Sequence, residues 1–231
     1  MSSSTFVIFG SGLQRPGIGV SVAKAFGEKH FVRIVLCGRN AERLETDRTQ
    51  VVEAAKQVGR AVGVIAVPVD LSNRESLREA LEKIGSFGVL GCVYHNAARI
   101  NPVEPLSVSA EEIEEDFKTG NLALYIIAQW AIPLLKSGGH PSPSFFVTNS
   151  LLPEEPIPYL LSLSMSKASQ QNMMVSLEAA FGKDIHFGLI KVGGIVAPEN
   201  KYLNPTNIAK QAVQLFEQEK GAWKLQVIIK E

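Results

Sequence analysis

Ten residues near the start of the chain, Gly10-Ser11-Gly12-Leu13-Gln14-Arg15-Pro16-Gly17-Ile18-Gly19, place four glycines between an apolar β-branched run and a helix-like segment. Such a turn lets the backbone fold tightly and aims unpaired helix N–H groups at one point, so its chemistry is that of a pyrophosphate cradle. The spacing departs from G-x-G-x-x-G, because Arg15 stands where the third glycine would be. About twenty residues beyond Gly19 the second apolar run ends in Cys37-Gly38-Arg39-Asn40. An acid there would bind a ribose 2′-hydroxyl; an arginine presents a fork suited to a 2′-phosphate, and Arg15 can add a second charge. Other chemistry-bearing groups are dispersed. Glu111, Glu112, Glu114, Glu115 and Asp116 open a helix, where negative charge is favoured, and read as a helix start rather than a metal site. The four histidines are scattered, with only His95 beside a candidate site residue, Asn96.

The elements that must position these groups alternate regularly. Apolar strands are expected at Thr5 to Phe9, Phe31 to Cys37, Ala61 to Val69, Val89 to Tyr94, Ser144 to Thr148, Ile185 to Lys191 and Lys224 to Ile229. Helical spacing fills the gaps at Ile18 to Glu28, Ala41 to Val58, Arg74 to Ile84, about Glu111 to Leu135, about Leu160 to Phe181 and Thr206 to Glu219. Strands with few polar interruptions, each followed by a helix, predict an α/β fold: one doubly wound parallel sheet of about seven strands with helices on both faces, in a single dinucleotide-binding domain spanning 1–231. Ligands of such sheets bind beyond the carboxyl ends of the strands, at the switch point beside the first strand.

Composition fits that picture. The chain has 231 residues, 45% of them hydrophobic, enough for a sizeable core, and its 23 basic residues balance 23 acidic ones, which argues against nucleic acid or an anionic membrane as partner. No run has the length of a signal peptide or membrane span, so a cytoplasmic protein is expected. Cys37 and Cys92 fall in separate strands with the first strand between them, and read as buried reduced thiols.

Further landmarks resemble the short-chain dehydrogenase/reductase family over nearly the whole chain. The glycine turn looks like that family's Gly-x-Gly-Pro-Gly-Ile-Gly variant with Leu13-Gln14-Arg15 inserted. Asp70 and Leu71 follow the third strand where the family touches adenine, Asn96-Ala97-Ala98 stands for its Asn-Ala-Gly, and Asn121 matches its helix asparagine. The resemblance implies a Rossmann fold and a cofactor site built from Gly10, Gly12, Arg15, Gly17, Ile18, Gly19, Arg39, Asp70, Leu71, Asn96, Ala97, Ala98, Lys167, Gly194 and Val196, with NADP(H) favoured over NAD(H). It also implies a catalytic serine at Ser150, a ribose-holding lysine at Lys167 and a role for Asn121. The tyrosine of the family's Ser, Tyr, Lys set would fall thirteen residues after Ser150 and four before Lys167, and that position is Leu163.

Leucine transfers no proton, and loss of a positioned acid or base commonly costs about 10²- to 10⁴-fold in rate. Tyr159, Ser162, Ser164, Glu154 and Glu155 are other proton sources within reach of the strip in sequence. After the sixth strand, Val192-Gly193-Gly194-Ile195-Val196 has Gly193 where the family has proline, and the usual substrate lid is reduced to about Glu199 to Asn204. The expectation is an NADP(H)-dependent oxidoreductase acting on a small organic carbonyl, imine, iminium or enone with an atypical proton donor. The alternatives are a non-redox isomerase, lyase or cyclase on the same fold, or a catalytically silent NADP-binding protein. The resemblance further implies a homodimer or homotetramer paired through the helices carrying Asn121 and Lys167.

Overall fold

The computed structural model describes residues 4–11 and 17–231. Seven strands, Thr5–Phe9 (β1), Arg33–Gly38 (β2), Gly63–Pro68 (β3), Leu90–His95 (β4), Ser144–Ser150 (β5), His186–Val192 (β6) and Gln226–Ile229 (β7), form one parallel sheet in the order β3-β2-β1-β4-β5-β6-β7. Strand side chains alternate between two cores. Val7, Phe9, Val93 and Phe145 face one side of the sheet, and Phe6, Ile8, Tyr94 and Phe146 the other.

Ile18–Lys29 (α1), Ala41–Gln57 (α2) and Pro205–Phe216 (α7) cover the second face through Val22, Phe26, Leu44, Val51, Ile208 and Phe216. Arg74–Gly85 (α3), Ala123–Ser137 (α5) and Leu161–Phe181 (α6) cover the first through Leu77, Leu124, Ile127 and Met174. Cys37 and Cys92 lie on the strands flanking β1, both free and buried, and burial pushes both thiols up. No helix among the described residues is long and apolar enough to cross a membrane.

Helix starts follow local chemistry. Asn40, Asn73, Ser109 and Asn204 accept N–H groups three residues on, at 3.0, 3.1, 3.2 and 2.8 Å, to begin α2, α3, Ala110–Phe117 (α4) and α7. The acidic cluster does open a helix, α4. The long helix expected from about Glu111 to Leu135 is not continuous, however: α4 and α5 are joined by a π-helical turn, Lys118–Leu122. The extra residue in that turn offsets the apolar pattern by only one position, too little to interrupt the run of helical spacing.

Candidate active site

Strand order reverses between β1 and β4, so their carboxyl ends open a crevice. The register brings Phe9 level with both Cys37 and His95, while β5 runs three residues past Val147, the partner of His95, and ends at Ser150. A hydrogen-bonded chain ties the ends together. Tyr94 Oη lies 3.0 Å from Thr148 Oγ1, and the single Thr148 hydroxyl proton goes to Asn96 Oδ1 at 2.8 Å, so Tyr94 donates to Thr148. Asn96 Nδ2 then donates to the Gly10 carbonyl at 3.0 Å. Asn96 thus acts in holding the glycine turn against β4, with Ala97 buried beside it and Ala98 exposed.

The described flanks of the turn, Gly10 and Gly17 to Gly19, suit a pyrophosphate. Gly10 has φ +94°, and a Cβ there would meet the Ala97 backbone nitrogen at 2.5 Å; one on Gly19 would meet the Gly10 carbonyl oxygen at 2.8 Å. Only glycine allows this close approach of backbone to backbone. Gly17, the N-cap of α1, has no side chain to cover the helix's first N–H groups, and no acid stands in the first turn, so nothing among the described residues neutralises the positive end of the dipole. Ile18 packs half-buried against the core below. Gly12 and Arg15 lie outside the described residues.

At the neighbouring strand ends, Arg39 is exposed just past β2 and makes no hydrogen bond or ion pair among the described residues, so its fork is available to a phosphate. Asp70 is exposed beyond β3. Its Oδ1 accepts from Ser72 N at 3.0 Å and Ser72 Oγ at 2.9 Å, while Leu71 is buried beneath. Beyond β6, Gly194 is exposed against Leu203, and Val196 is half-buried on the core.

The residues expected from the sequence to be catalytic lie on β5 and α6. Lys167 is 5% exposed, and its Nζ donates to Thr148 O at 2.8 Å and Gln170 Oε1 at 3.1 Å. Two of three ammonium protons are thereby engaged, and burial lowers its pKa to about 8, which keeps the charge at neutral pH. Asn149 Nδ2 donates to the Lys167 carbonyl at 3.1 Å, fastening α6 to β5. Ser150 Oγ accepts from Leu152 N at 3.2 Å, an arrangement in which its hydroxyl proton can still be donated to a substrate oxygen. Leu163, half-buried, lies one helical turn before Lys167.

Asn121 falls within the π turn. Its Nδ2 donates to Ser166 Oγ at 3.0 Å, and its Oδ1 is a buried acceptor without a partner among the described residues. The preceding carbonyl, Gly120 O, accepts from Gln170 Nε2 at 3.0 Å. The turn therefore connects through Gln170 to the Lys167 ammonium. His95 is fully buried with neither ring nitrogen partnered among the described residues; burial first, and the Lys167 charge second, lower its pKa to about 3.

Four of the five proton sources expected from sequence are engaged elsewhere. Ser162 Oγ donates to Asp116 Oδ2 at 2.6 Å, Ser164 Oγ to Leu160 O at 2.8 Å, Glu154 accepts from Lys191 Nζ at 2.5 Å, and Glu155 faces Lys230 at 3.8 Å. Tyr159 alone keeps its proton-bearing group unpartnered among the described residues; it is exposed on the 3₁₀ turn Pro158–Leu160.

Three supporting residues were not foreseen. Thr148 bridges Tyr94 and Asn96, Gln170 accepts from Lys167, and Asp47, buried in α2, accepts from Ser11 Oγ at 2.6 Å and so braces the glycine turn. Asp47 carries a readable signal, since it falls on the buried helical stripe with Leu44, Val51 and Ala54.

Comparison with known proteins bears on the family and the fold. The sequence model for short chain dehydrogenase matches residues 7–208. Over 132 residues the chain is 28% identical to the uncharacterized oxidoreductase YghA of Escherichia coli K12, covering 55% of this chain and 42% of that protein, so it matches less than half of that relative's length. The alcohol dehydrogenase of the archaeon Thermococcus sibiricus, complexed with 5-hydroxy-NADP, superposes with a TM-score of 0.84 at 22% identity, covering 97% of this chain and 95% of that one. A metagenomic short-chain oxidoreductase in complex with NADP superposes at 0.85 with 19% identity, covering 98% and 96%. At such identities the structural likeness speaks to the fold, whereas the family match runs from β1 into α7. The chain belongs to the short-chain dehydrogenase family.

Proposed function

We propose that the protein is an NADP(H)-dependent oxidoreductase acting on a small organic carbonyl, imine, iminium or enone compound. The observation that carries the reading is Lys167: a buried ammonium fixed by Thr148 and Gln170, one turn from Leu163 and adjoining the end of the strand that presents Ser150. A charge so costly to bury is explained by an anionic or polyhydroxyl ligand placed against its remaining proton. The nicotinamide cofactor, when bound, supplies hydride. The backbone N–H groups at the start of α1, beside Gly10, Gly17 and Gly19, would hold its pyrophosphate and Arg39 its 2′-phosphate, which favours NADP(H) over NAD(H). Two relatives in fold are complexed with NADP or a derivative of it.

Ser150 donates to the substrate oxygen and polarises the acceptor carbon. Lys167 orients the ribose and stabilises negative charge near the reacting centre. Leu163 supplies no proton, so the substrate is one already activated toward hydride, or the proton comes from Tyr159 or solvent. Tyr159→Phe separates the last two: loss of tenfold or more in turnover assigns the proton to Tyr159, and unchanged turnover assigns it to solvent. A second reading, a non-redox isomerase, lyase or cyclase, is favoured by Leu163 itself. NADPH absorbance followed with a panel of carbonyl, imine and enone compounds, alongside product formation with and without cofactor, tests the two. Stoichiometric NADPH consumption is expected; product formed without net NADPH loss would contradict the redox reading.

A further inference from the structure

The segment between β6 and α7, residues 193–204, has no helix or strand of its own, and its first half carries Gly194 and Val196, two residues expected at the cofactor. An irregular segment keeps one path only where its backbone groups find fixed partners. Asn200 Nδ2 donates to Ile195 O at 2.8 Å, Ala197 N donates to Leu203 O at 3.0 Å, and Asn204 Nδ2 donates to Asn200 O at 2.9 Å. These bonds fold the segment back on itself and tie residues 195–197 to residues 200–203.

Residues 201–203 are in turn held from another part of the chain. Three successive N–H groups converge on the side chain of Glu231, two residues beyond β7. Lys201 N donates to Oε1 at 2.7 Å, Leu203 N donates to Oε2 at 2.9 Å, and Tyr202 N lies between them, 3.3 Å from each oxygen. Successive N–H groups aimed at one point form an anion-binding concavity. An ionised carboxylate has two acceptor oxygens and no proton, so it can serve all three donors at once, which an amide or hydroxyl side chain cannot. The Leu203 N–H first, then those of Lys201 and Tyr202, hold the Glu231 carboxyl below the ordinary carboxylate range.

Both ends of this junction are anchored independently of it. Leu203 is buried in the second core, and Gly193 N donates to Ile229 O at 2.8 Å, at the end of the β6–β7 pairing. Glu231, Lys201 and Tyr202 are all exposed. Removing the carboxylate therefore takes nothing from either core, and its effect falls on the path of the segment rather than on the fold.

We propose that Glu231 is a positioning residue: its carboxylate, seated on the N–H groups of residues 201–203, latches the segment 193–204 in the path that presents Gly194 and Val196. The consequence for the cofactor rests on the NADP(H) reading above. A segment fixed before the nucleotide arrives spares the cost of ordering it on binding and slows release.

The test is amide hydrogen exchange, followed by NMR, on the parent, Glu231→Gln and Glu231→Ala. Gln keeps the length of the side chain but turns N–H donors toward N–H donors. Both variants are expected to speed exchange of the 201–203 amides and of the Ala197 amide about tenfold or more, with the Gly193 amide and the thermal midpoint unchanged. Acetate added to Glu231→Ala is expected to restore protection, and chloride at the same ionic strength is not. NADPH release, measured by stopped-flow fluorescence, is expected to be about threefold or more faster in both variants and to be slowed again by acetate in Glu231→Ala. Unchanged exchange in both variants overturns the proposal, as does faster exchange at 201–203 with Ala197 unaffected, or acetate that restores no more than chloride. Equal acceleration at Gly193 also overturns it, by showing that β7 has frayed. NADPH release unchanged in variants whose exchange has risen overturns the positioning role. Exchange that behaves as expected in a parent that binds no NADPH contradicts the cofactor reading alone, and saturable NADPH binding with unchanged exchange contradicts the latch alone.

Discussion

Leu163 and Lys167 share a helix face one turn apart, and they differ in what a substitution there should do. Leu163→Tyr adds a hydroxyl at the family's proton-donor position without touching the glycine turn or Lys167. NADPH affinity, followed by fluorescence titration, should be nearly unchanged, and reduction of an unactivated ketone should rise by about 10²-fold or more. A large loss of NADPH affinity would mean that residue 163 does not occupy that position.

Lys167→Met removes a buried charge and keeps a stem of similar volume. Urea unfolding should show a stability not lower by more than about 1 kcal/mol, because an apolar replacement of a buried ion is commonly neutral or better. NADPH affinity should nonetheless fall by at least tenfold. In the parent, that affinity should decline as pH rises through about 8, where Lys167 loses its proton, and the decline should be absent in the variant. At this scale the family spacing singled out Ser150, Lys167, Asn96 and Asn121 as expected site residues, and the structure gives each a hydrogen-bond partner. The sequence was silent on Thr148 and Gln170, because nothing in a lone hydroxyl or amide says which neighbour it will meet once strands and helices are packed.

The elements were largely readable, since their signal is periodic and sums over many residues. Strand β1 begins and ends where its β-branched run does, and four helix starts coincide with Asn or Ser caps. The π turn escaped because its evidence is one residue of offset, marked only by Gly120 and Asn121, poor helix formers inside an otherwise good helix. Its effect is to turn Gly120 O toward Gln170 and Asn121 toward Ser166, so that α5 and α6 are fastened beside Lys167.

Gly120→Ala tests this fastening. The added Cβ would fall 2.6 Å from Ser166 Oγ and 3.4 Å from Gln170 Nε2, both on buried side chains. Unfolding in urea should show a loss of about 1–3 kcal/mol, and adding Ser166→Ala should recover part of it. Equal stability of Gly120→Ala and the parent would show that the two helices are not in such close contact there.

The whole molecule places two neutral histidines inside one sheet. His95 and His186 are both buried, and burial lowers their pKa values to about 3 and about 4, against an ordinary 6.5. The unfolded chain therefore binds more protons than the folded one between pH 6.5 and those values. Stability from this source is complete above about pH 6.5 and is lost progressively as pH falls toward 3. Denaturant midpoints taken at pH 7, 5 and 4 should fall steeply in the parent and less steeply in His95→Leu. Identical slopes would show that His95 takes up its proton as readily folded as unfolded.

The sheet order, with β1 between β2 and β4, also sets the distance between the two halves of the cofactor reading: Arg39 beyond β2 on one side of the glycine turn, Ser150 and Lys167 beyond β5 on the other. Sequence alternation foretold that arrangement, but not which loops would meet above it, because the contact of Val103 with Tyr159 and of Gly193 with Leu151 depends on loop paths that carry no periodic signal. The central claim is that this frame holds NADP(H) although the tyrosine is absent. Equilibrium titration of the parent and Arg39→Ala with NADPH and with NADH addresses it directly. The parent should bind NADPH at least tenfold more tightly than NADH, with the difference largely lost in Arg39→Ala; no saturable binding of NADPH, or equal affinity for the two nucleotides, would contradict it.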